Sequence, residues 1–266
     1  MSKILLFIPM YNCEKQILRV LEQLNETLEE YIDEVVIINN RSTDNGEFVV
    51  KNYIERDKKE IKISLLRNKE NYNLGGSHKV AFQYAIENKF DYVIVLHGDD
   101  QGSIKDILPY LENREYEKYD ALLGARFCKG SILQGYSLFR TIGNRIFNIL
   151  FSISMRKRIY DLGAGLNIYR VNSLKEKYYI KYPDKLTFNC YMLLATKTYE
   201  QRIKFFPISW REDDQISNVK MFNQALITFK LALNYMFYGK KYLEVEHRDY
   251  IVENYTADII CRNYEE

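Results

Sequence analysis

The chain has 266 residues, of which 47% are hydrophobic and 28% charged, with only 12 Gly and 4 Pro. This length and apolar content are typical of one large folded domain, or one domain with an appendage, and exclude a disordered, collagenous or small disulfide-rich protein. The 38 basic and 36 acidic residues leave a formal charge of +2, which excludes the strong basic excess typical of nonspecific nucleic-acid binding. Any site for an anion must therefore be local.

The four cysteines lie far apart in the sequence and show neither a CxxC pair nor a Cys/His spacing typical of a zinc site. A reducing cytosol is the compartment that fits this pattern best. The apolar run near the N-terminus breaks at Pro9 and lacks a small-residue cleavage site, which favours a buried strand over a signal peptide. No apolar run reaches the roughly 20 residues that a membrane span needs. We therefore expect a soluble or peripheral cytoplasmic protein.

The first half of the chain alternates short β-rich apolar runs with longer helical patterns. Apolar residues spaced three and four apart predict amphipathic helices over residues 14–30 and 77–88. The alternation is typical of parallel βαβ units, so we expect an α/β fold. The predicted strands are residues 4–8, 34–38, 61–66, 92–96 and 121–123.

Polar segments follow each predicted strand, and in an open parallel sheet a ligand binds beyond the carboxyl ends of the strands. Asp99 and Asp100 come directly after the fourth strand, where two carboxylates repel each other unless a cation lies beside them. A Mg²⁺ or Mn²⁺ ion that bridges a diphosphate would satisfy them; alternatively, one of them caps a helix predicted at Ile104. The polar segments are residues 9–12, 39–44, 67–76, 97–101 and 124–126.

Two adjacent glycines, Gly75 and Gly76, precede the second predicted helix. Glycine permits close approach of a backbone to a ligand, so this segment is a candidate for contact with phosphate. A glycine pair before a helix is also typical of an ordinary turn, and that alternative stays open.

Residues 138–155 predict an apolar helix that ends in the basic cluster Arg156-Lys157-Arg158. Arg140 and Arg145 on this helix are candidates for holding phosphate. Such a helix can lie in a membrane interface, and a core helix with cations at its C-terminus fits the pattern equally well. An acid-bearing loop, residues 161–165, then precedes a strand predicted over residues 166–169.

The last third predicts a helix over residues 189–199, a strand over 203–208, a polar loop over 210–215 and a helix over 219–238. The final helix is interrupted by Lys230 and Asn234 and is too polar to span a membrane. We expect residues 1–218 to form one catalytic domain, with residues 219–266 as a C-terminal helix and tail that pack on that domain or on another surface.

In this order, the segments resemble family 2 glycosyltransferases of the GT-A fold, in particular polyprenyl-phosphate sugar transferases of the dolichol-phosphate mannose synthase type. The likeness covers about residues 3–220. It is specific through the order and spacing of its motifs rather than through any one of them. The motifs are Pro9-Met10-Tyr11-Asn12, Ser42-Thr43-Asp44, Asn73-Leu74-Gly75-Gly76, His97-Gly98-Asp99-Asp100-Gln101, Gly124-Ala125-Arg126, residues 140–148, residues 161–170 and Pro207-Ile208-Ser209-Trp210-Arg211.

The resemblance implies a GT-A fold, with a mostly parallel sheet flanked by helices, and a nucleotide-diphosphate sugar as donor. It implies a divalent metal, Mg²⁺ or Mn²⁺, at Asp99 with His97, and catalytic roles for Asp99, Asp161 and Arg126. Phosphate or acceptor contacts carry over to Arg140, Arg145, Asn148 and Arg211. The implied donor-binding residues are Pro9, Tyr11, Asn12, Asn40, Asp44, Asn73, Gly75, Gly76 and Asp99.

Two departures from the family pattern concern the donor. Asn39 and Asn40 stand where the family usually has paired aspartates, so the nucleotide preference does not carry over. His97 replaces the first carboxylate of the D-x-D motif, which leaves Asp99 as the matching ligand of metal and diphosphate. His97 itself is a candidate nitrogen ligand or a hydrogen-bond donor to phosphate.

The acceptor is the part of the reaction on which the sequence is least specific. The Glu-Asp pair that many hydroxyl-using relatives carry near the start of the helix at Asn189 is missing, and a lipid phosphate needs no base because it is already ionised. We therefore favour a polyprenyl phosphate over a growing surface glycan; for a sugar hydroxyl, Asp161 is the best candidate base. This predicts an inverting transferase of polysaccharide biosynthesis that works peripherally at the inner face of a membrane. The alternatives are an inactive nucleotide-sugar-binding module and a nucleotidyltransferase.

Overall fold

A central sheet organises the fold in the computed structural model of the chain, which describes residues 2–56, 60–212 and 221–265. The strands are β1 (Ile4–Met10), β2 (Glu34–Asn39), β3 (Lys62–Asn68), β4 (Tyr92–Leu96), β5 (Ala121–Ala125), β6 (Ile132–Gln134), β7 (Leu166–Arg170), β8 (Ile203–Pro207), β9 (Ser209–Arg211) and β10 (Ala257–Arg262). Eight of them form the main sheet in the order β10-β3-β2-β1-β4-β7-β5-β8.

The main sheet is mostly parallel, as the sequence predicts. β1 runs parallel to β2 and β4, β2 to β3, and β5 to β8, whereas β7 is antiparallel to both β4 and β5. Because β7 runs backwards, the loop that precedes it reaches the edge where β1, β2 and β4 end. The topology therefore brings residues 161–165 to the same edge as the polar segments after the parallel strands.

Helices cover both faces of the sheet, and β1 shows why. Its side chains alternate between two cores: Leu5 and Phe7 face one, and Leu6 and Ile8 face the other. The helices are α1 (Glu14–Leu21), α2 (Glu26–Glu29), α3 (Gly46–Arg56), α4 (Asn73–Glu87), α5 (Leu108–Glu112), α6 (Leu138–Met155), α7 (Phe188–Thr198), α8 (Met221–Tyr238) and α9 (Lys240–Glu244).

Two predicted helices have different bounds in the structure. The helix predicted over residues 14–30 is divided into α1 and α2, because the Asn25 side chain accepts a hydrogen bond from the Leu28 N–H and starts a new helix. The second, predicted from residue 77, begins at Asn73, so Gly75 and Gly76 lie in its first turn rather than before it.

The C-terminal tail is part of the main sheet through β10, which pairs antiparallel with β3 at the edge. The sequence pattern did not predict this strand, nor did it predict α3. The proposed boundary between residues 218 and 219, and residues 213–215 of the predicted polar loop, lie outside the described residues. The division of the chain into 1–218 and 219–266 therefore stays a prediction. In the described parts of the chain, no helix combines the length and apolar character needed to cross a bilayer.

Candidate active site

A first cavity of about 600 Å³ opens at the carboxyl ends of β1, β2 and β4. It brings together five of the donor-binding residues that the resemblance implies, namely Pro9, Tyr11, Asn40, Asn73 and Asp99. Its other lining residues are Met10, Cys13, Asn71, Leu74, Ser77, His97, Gly98, Lys185, Leu186, Asn223 and Gln224. The sequence analysis missed the last four, which come from the loop before α7 and from α8.

A second cavity of about 660 Å³ adjoins the first. The two share the side chains of Leu74, His97, Asp99, Leu186 and Gln224, so they meet at the end of β4. The walls of the second cavity combine apolar side chains with the cations Arg126 and Arg140. They include Gln101, Phe139, Asn144, Phe147, Leu162, Asn189, Cys190, Trp210, Phe222, Ala225 and Thr228. Any group bound in one cavity can therefore meet a group bound in the other at Asp99.

Asp99 and Asp100 have separate roles, although they are adjacent in the sequence. Asp99 lines both cavities, and burial raises the pKa of its carboxyl to about 6. Asp100 is fully buried and accepts hydrogen bonds from Arg19, at 2.6 Å, and from Arg211. The cation that the sequence requires beside this pair is thus supplied to Asp100 by two arginines. Of the two carboxylates, only Asp99 lines the cavities, and its Oδ1 also accepts from the Gln101 N–H at 3.2 Å.

Arg211 holds Asp100 in place. Its Nε donates to the Asp100 backbone oxygen at 2.8 Å, and its Nη2 pairs with the Asp100 carboxylate. The side chain is not among the described residues that line either cavity. This geometry supports neutralisation of Asp100 as its role, and the phosphate contact that the resemblance implies stays a prediction.

His97 lies where the two cavities meet, with Gly165 against its ring; a Cβ at position 165 would come within 2.7 Å of His97 Cγ. Its Nε2 is buried and has no hydrogen-bond partner among the described residues. Burial, together with the nearby charge of Arg126, lowers the pKa of His97 to about 4, so the imidazole is neutral at pH 7. A neutral ring offers either one N–H donor or one lone pair to a ligand in the cavity.

Asn40 is one of the asparagines that replace the usual aspartates, and its amide accepts two hydrogen bonds and donates one. Its Oδ1 accepts from the Asn68 side chain at 2.9 Å and from the Tyr72 N–H at 2.8 Å, while its Nδ2 donates to Asn71 at 2.8 Å. Asn39 is likewise held, since it donates to Glu47. Asn40 thus joins the end of β2 to β3 and the segment before α4, whereas Asn39 joins it to α3.

Asn12 and Asp44 are not among the described residues that line the first cavity. Asn12 accepts from the Thr43 N–H at 2.8 Å, and Asp44 accepts from the Glu14 N–H at 2.8 Å. These bonds hold the loop after β1 against the loop after β2. The geometry supports a supporting role for both residues, and their donor contact stays a prediction of the resemblance.

Gly75 and Gly76 are also buried beneath the cavity, and their N–H groups already donate to Asp184 O and Tyr72 O. A Cβ at Gly75 would lie 2.6 Å from Pro183 O, and one at Gly76 would lie 2.3 Å from Tyr72 Cβ. The phosphate contact that the resemblance implies stays a prediction. Gly75 lets α4 pack closely against residues 183–188, and Gly76 lets it pack against Tyr72 and Tyr255.

Arg126 and Asp161 form a buried ion pair at the side of the second cavity. Nε and Nη2 of Arg126 each lie 2.7 Å from a different oxygen of Asp161, and the Arg126 backbone N–H donates at 2.9 Å. The Gly163 N–H donates to the same carboxylate at 3.2 Å. Asp161 is 2% exposed and lines neither cavity. This geometry argues against Asp161 as a base and makes it the group that orients Arg126.

The other basic residues on α6 divide between two faces of that helix. Arg140 lines the second cavity and pairs with Glu212 at 2.6 Å. Arg145 and Asn148 line a separate groove near the end of α6. Arg140 therefore lies in the wall of the second cavity, whereas Arg145 and Asn148 do not line it, and the acceptor contacts that the resemblance implies stay predictions.

The metal that the resemblance implies has few protein ligands available. In residues 2–56, 60–212 and 221–265, no group of three or more His, Cys, Asp or Glu side chains is placed to hold an ion. Asp99 and His97 are the candidate ligands that face the cavities. Mg²⁺ often takes only one or two carboxylates and completes its shell with phosphates and water. The residues present thus fit an ion that arrives with a diphosphate, and not a preformed protein cage.

A family model described as glycosyl transferase family 2 matches residues 6–177, well over half of the chain. The chain belongs to glycosyl transferase family 2. A relative from Methanocaldococcus jannaschii, the uncharacterized protein MJ0544, is 31% identical over 176 residues, which cover 64% of this chain and 72% of the relative. The family supports glycosyl transfer as the general chemistry of the chain.

Solved structures show the fold. Glucosyl-3-phosphoglycerate synthase from Mycobacterium tuberculosis, in complex with UDP, has a TM-score of 0.61 at 11% identity, with 89% of this chain and 80% of that chain covered. The mannosyltransferase PcManGT from Pyrobaculum calidifontis, in complex with GDP-Man and Mn²⁺, has a TM-score of 0.58 at 13% identity, with 91% of this chain and 72% of that chain covered. TarS 1–349 of S. aureus, in complex with UDP-GlcNAc, has a TM-score of 0.56 at 18% identity, with 91% of this chain and 69% of that chain covered. The likeness confirms the GT-A fold.

Proposed function

We propose that the chain transfers a sugar from a nucleotide-diphosphate sugar in the first cavity to a phosphate-bearing lipid of the polyprenyl type in the second. One observation carries the choice of acceptor: among the described residues that line the second cavity, the only carboxylate is Asp99. Asn189, at the start of α7, presents an amide there, and its Oδ1 is buried without a partner in the described structure. Among the described lining residues a hydroxyl acceptor would find no carboxylate base besides Asp99, which this proposal assigns to the diphosphate, whereas a phosphate is already ionised.

The walls of the second cavity also fit a lipid phosphate. Phe139, Phe147 and Phe222 supply apolar surface, and Arg126 and Arg140 supply positive charge. Each arginine is held by an acid outside the cavity lining, Asp161 or Glu212, so its direction is fixed before a ligand binds. Arg126 also packs over Trp210, with 5.0 Å between its Cζ and the ring centroid.

The proposed reaction is a single displacement. A phosphate oxygen of the acceptor attacks the anomeric carbon, and the bond from that carbon to the nucleotide diphosphate breaks, with the electron pair leaving on the diphosphate. The lining thiols, Cys13 and Cys190, are not nucleophiles, because burial raises the pKa of each to about 12. A single attack from the opposite face inverts the anomeric configuration.

Asp99 and His97 lie where the diphosphate of the donor must end. Asp99 would hold a divalent ion, Mg²⁺ or Mn²⁺, together with the diphosphate, and His97 would contribute a nitrogen ligand or a hydrogen bond. When bound, the ion supplies charge that stabilises the departing diphosphate. Such a transferase would serve polysaccharide biosynthesis by loading sugar onto a lipid carrier.

The proposal is tested with a panel of UDP-, GDP- and dTDP-sugars in the presence of Mn²⁺ or Mg²⁺. Each donor is offered with a polyprenyl phosphate, with the matching polyprenol and with a soluble glycan, and free nucleotide and the anomeric configuration of the product are measured. We expect transfer to the phosphate alone, with inversion. Equal transfer to the polyprenol or the glycan would contradict the acceptor assignment, and donor binding without nucleotide release would indicate an inactive binding module.

A further inference from the structure

Helices α6 and α8 lie side by side and are anchored to the core by one face each. From α6, Phe151 and Met155 are buried, and from α8, Leu231 and Ala232 are buried. The Ser154 hydroxyl of α6 donates to the Ala232 oxygen of α8 at 3.2 Å, so the helices are in direct contact. The opposite face of each helix points away from the core.

These outward faces are apolar. On α6 the exposed large side chains recur three or four residues apart, as expected for one helical stripe, and are 52–75% exposed. On α8 the exposed apolar side chains range from 42% to 87%. A contiguous exposed apolar surface is typical of an interaction site. We call this surface the helix-pair face; it consists of Leu138, Phe139, Ile142, Ile146, Ile149 and Ile153 of α6 and Phe222, Leu226, Ile227, Phe229, Met236 and Phe237 of α8.

The charged residues on α6 and α8 themselves are all positive. Neither α6 nor α8, with 18 residues each, contains an Asp or Glu. A groove of about 720 Å³ runs along the end of α6 and is lined by Arg145, Arg156, Lys157 and Arg158 together with apolar side chains. Asn148 lies in the same groove; it is 6% exposed, and its Oδ1 is buried without a partner in the described structure.

We propose that the helix-pair face docks on a bilayer that contains anionic lipid, with the basic groove receiving the phosphate of a lipid headgroup. An apolar stripe flanked by cations is the pattern of a helix that lies in a membrane interface, and each cation near an anionic surface adds to the attraction. A second copy of the chain is the less favourable occupant, because a symmetric contact would bring the same cations against each other.

The helix-pair face adjoins the second cavity, so docking would place the cavity at the bilayer surface. Phe139 and Phe222 line the second cavity and are also 75% and 87% exposed on the helix-pair face. The mouth of the cavity therefore opens on the docked surface. Resting on the proposed function, this placement lets an acceptor keep its chain in the bilayer while its phosphate enters the cavity.

Vesicle flotation tests the docking without donor or acceptor. The full chain is mixed with vesicles of phosphatidylcholine alone or with phosphatidylglycerol, and the fraction that floats is measured. We expect flotation with the anionic vesicles only, weakened by added salt. The variant Arg156→Asn/Lys157→Gln/Arg158→Gln should bind on the order of 100-fold more weakly, since each cation contributes a similar increment. Asn is chosen at position 156 because the backbone there has φ of +51°.

Two double variants test the apolar side chains of the helix-pair face, and two control variants change similar residues outside it. Ile149→Ser/Ile153→Ser and Phe229→Ser/Phe237→Ser should each reduce flotation at least tenfold, whereas Phe48→Ser, at a position 64% exposed on α3, should not. Lys105→Ala/Lys118→Ala/Lys175→Ala removes the same charge from exposed sites outside both helices and should also float normally. Melting temperatures within about 2 °C of wild type exclude unfolding as the cause.

Three results would overturn the docking. The first is no flotation of the wild-type chain with anionic vesicles; the second is equal flotation of the triple charge variant. The third is a concentration-dependent dimer that the serine variants abolish while vesicle binding is absent, which would assign the face to a second copy. Nucleotide release in detergent, without vesicles, reports on the proposed function separately, so failure of one leaves the other measurable.

Discussion

Arg126 donates to the carboxylate of Asp161 from its backbone N–H and from two guanidinium nitrogens, over distances of 2.7–2.9 Å. Although burial opposes a charge on Arg126, the paired carboxylate keeps the pKa of the guanidinium above its usual value. The guanidinium therefore stays charged, and the Asp161 carboxylate, which accepts from Arg126 and from the Gly163 N–H, does not line the second cavity. Its role is to position Arg126.

The Asp161→Asn variant tests this role. We expect a loss of about 3 kcal/mol in the free energy of unfolding, because the substitution leaves a buried guanidinium without its counter-charge. Urea denaturation measures the loss. Glu55→Gln is the matched control, since Glu55 pairs with Lys51 on the surface and should change stability by less than about 0.5 kcal/mol. An Asp161→Asn protein of normal stability but with no turnover would instead indicate a base.

Glycine substitutions on two helices should act in opposite directions. Gly75→Ala places a Cβ 2.6 Å from Pro183 O and 2.7 Å from Phe188 Cβ, so residues 183–188 must move. We expect a loss of at least 2 kcal/mol and a weaker donor affinity, because Lys185 and Leu186 line the first cavity. Gly143→Ala on α6 meets nothing within 4 Å and should raise stability by about 0.5–1 kcal/mol. Thermal unfolding of both variants measures these changes in stability. Equal changes for Gly75→Ala and Gly143→Ala would contradict the packing role of Gly75.

Lys79 makes the stability of the chain depend on pH. Its Nζ is buried 2.6 Å from both Asp184 Oδ1 and Tyr182 O, and burial lowers its pKa to about 8. Between pH 8 and the unfolded value of 10.5, the folded chain has lost this proton while the unfolded chain still holds it. Unfolding then takes up a proton, so the contribution of Lys79 to the free energy of unfolding rises with pH.

The measurement compares wild type with Lys79→Met by urea denaturation at pH 7.5 and pH 9.5. The free energy of unfolding of wild type, relative to that of Lys79→Met, should be larger at pH 9.5 than at pH 7.5. Lys51→Met, at an exposed position, should show no such shift. A difference that stays constant across this range would mean that Lys79 keeps its proton in the folded chain.

The sequence predicted the polar edge of the sheet because that edge depends on local signals. Strands rich in apolar residues were each followed by polar segments, and the rule that ligands bind at the carboxyl ends placed Pro9, Asn40 and Asp99 together. The length of α6 also followed from its apolar periodicity and the basic cluster that ends it.

Several features could not be predicted because they depend on contacts between distant segments. Asp100 is buried and paired because of Arg19 and Arg211, which lie 81 and 111 residues away in the sequence. The glycines at 75 and 76 resemble a phosphate loop in sequence, but in the fold Gly75 packs against residues 183–188 and Gly76 against Tyr72 and Tyr255. β10 and the α8 residues that line the cavities likewise carry no local motif.

The most direct test of the account is Asp99→Ala, because Asp99 lies where the first and second cavities meet and is the only carboxylate among the described residues that line the second. We predict that turnover, measured as nucleotide release with donor, polyprenyl phosphate and Mn²⁺, falls at least about a hundredfold, since the charge on the departing diphosphate loses its stabilisation. Folding should persist, with a melting temperature within about 2 °C of wild type measured on the same preparation. If Asp99 only holds the following turn, stability would fall by about 1 kcal/mol while turnover stayed nearly intact. A fully active Asp99→Ala protein would contradict the assignment of the diphosphate site.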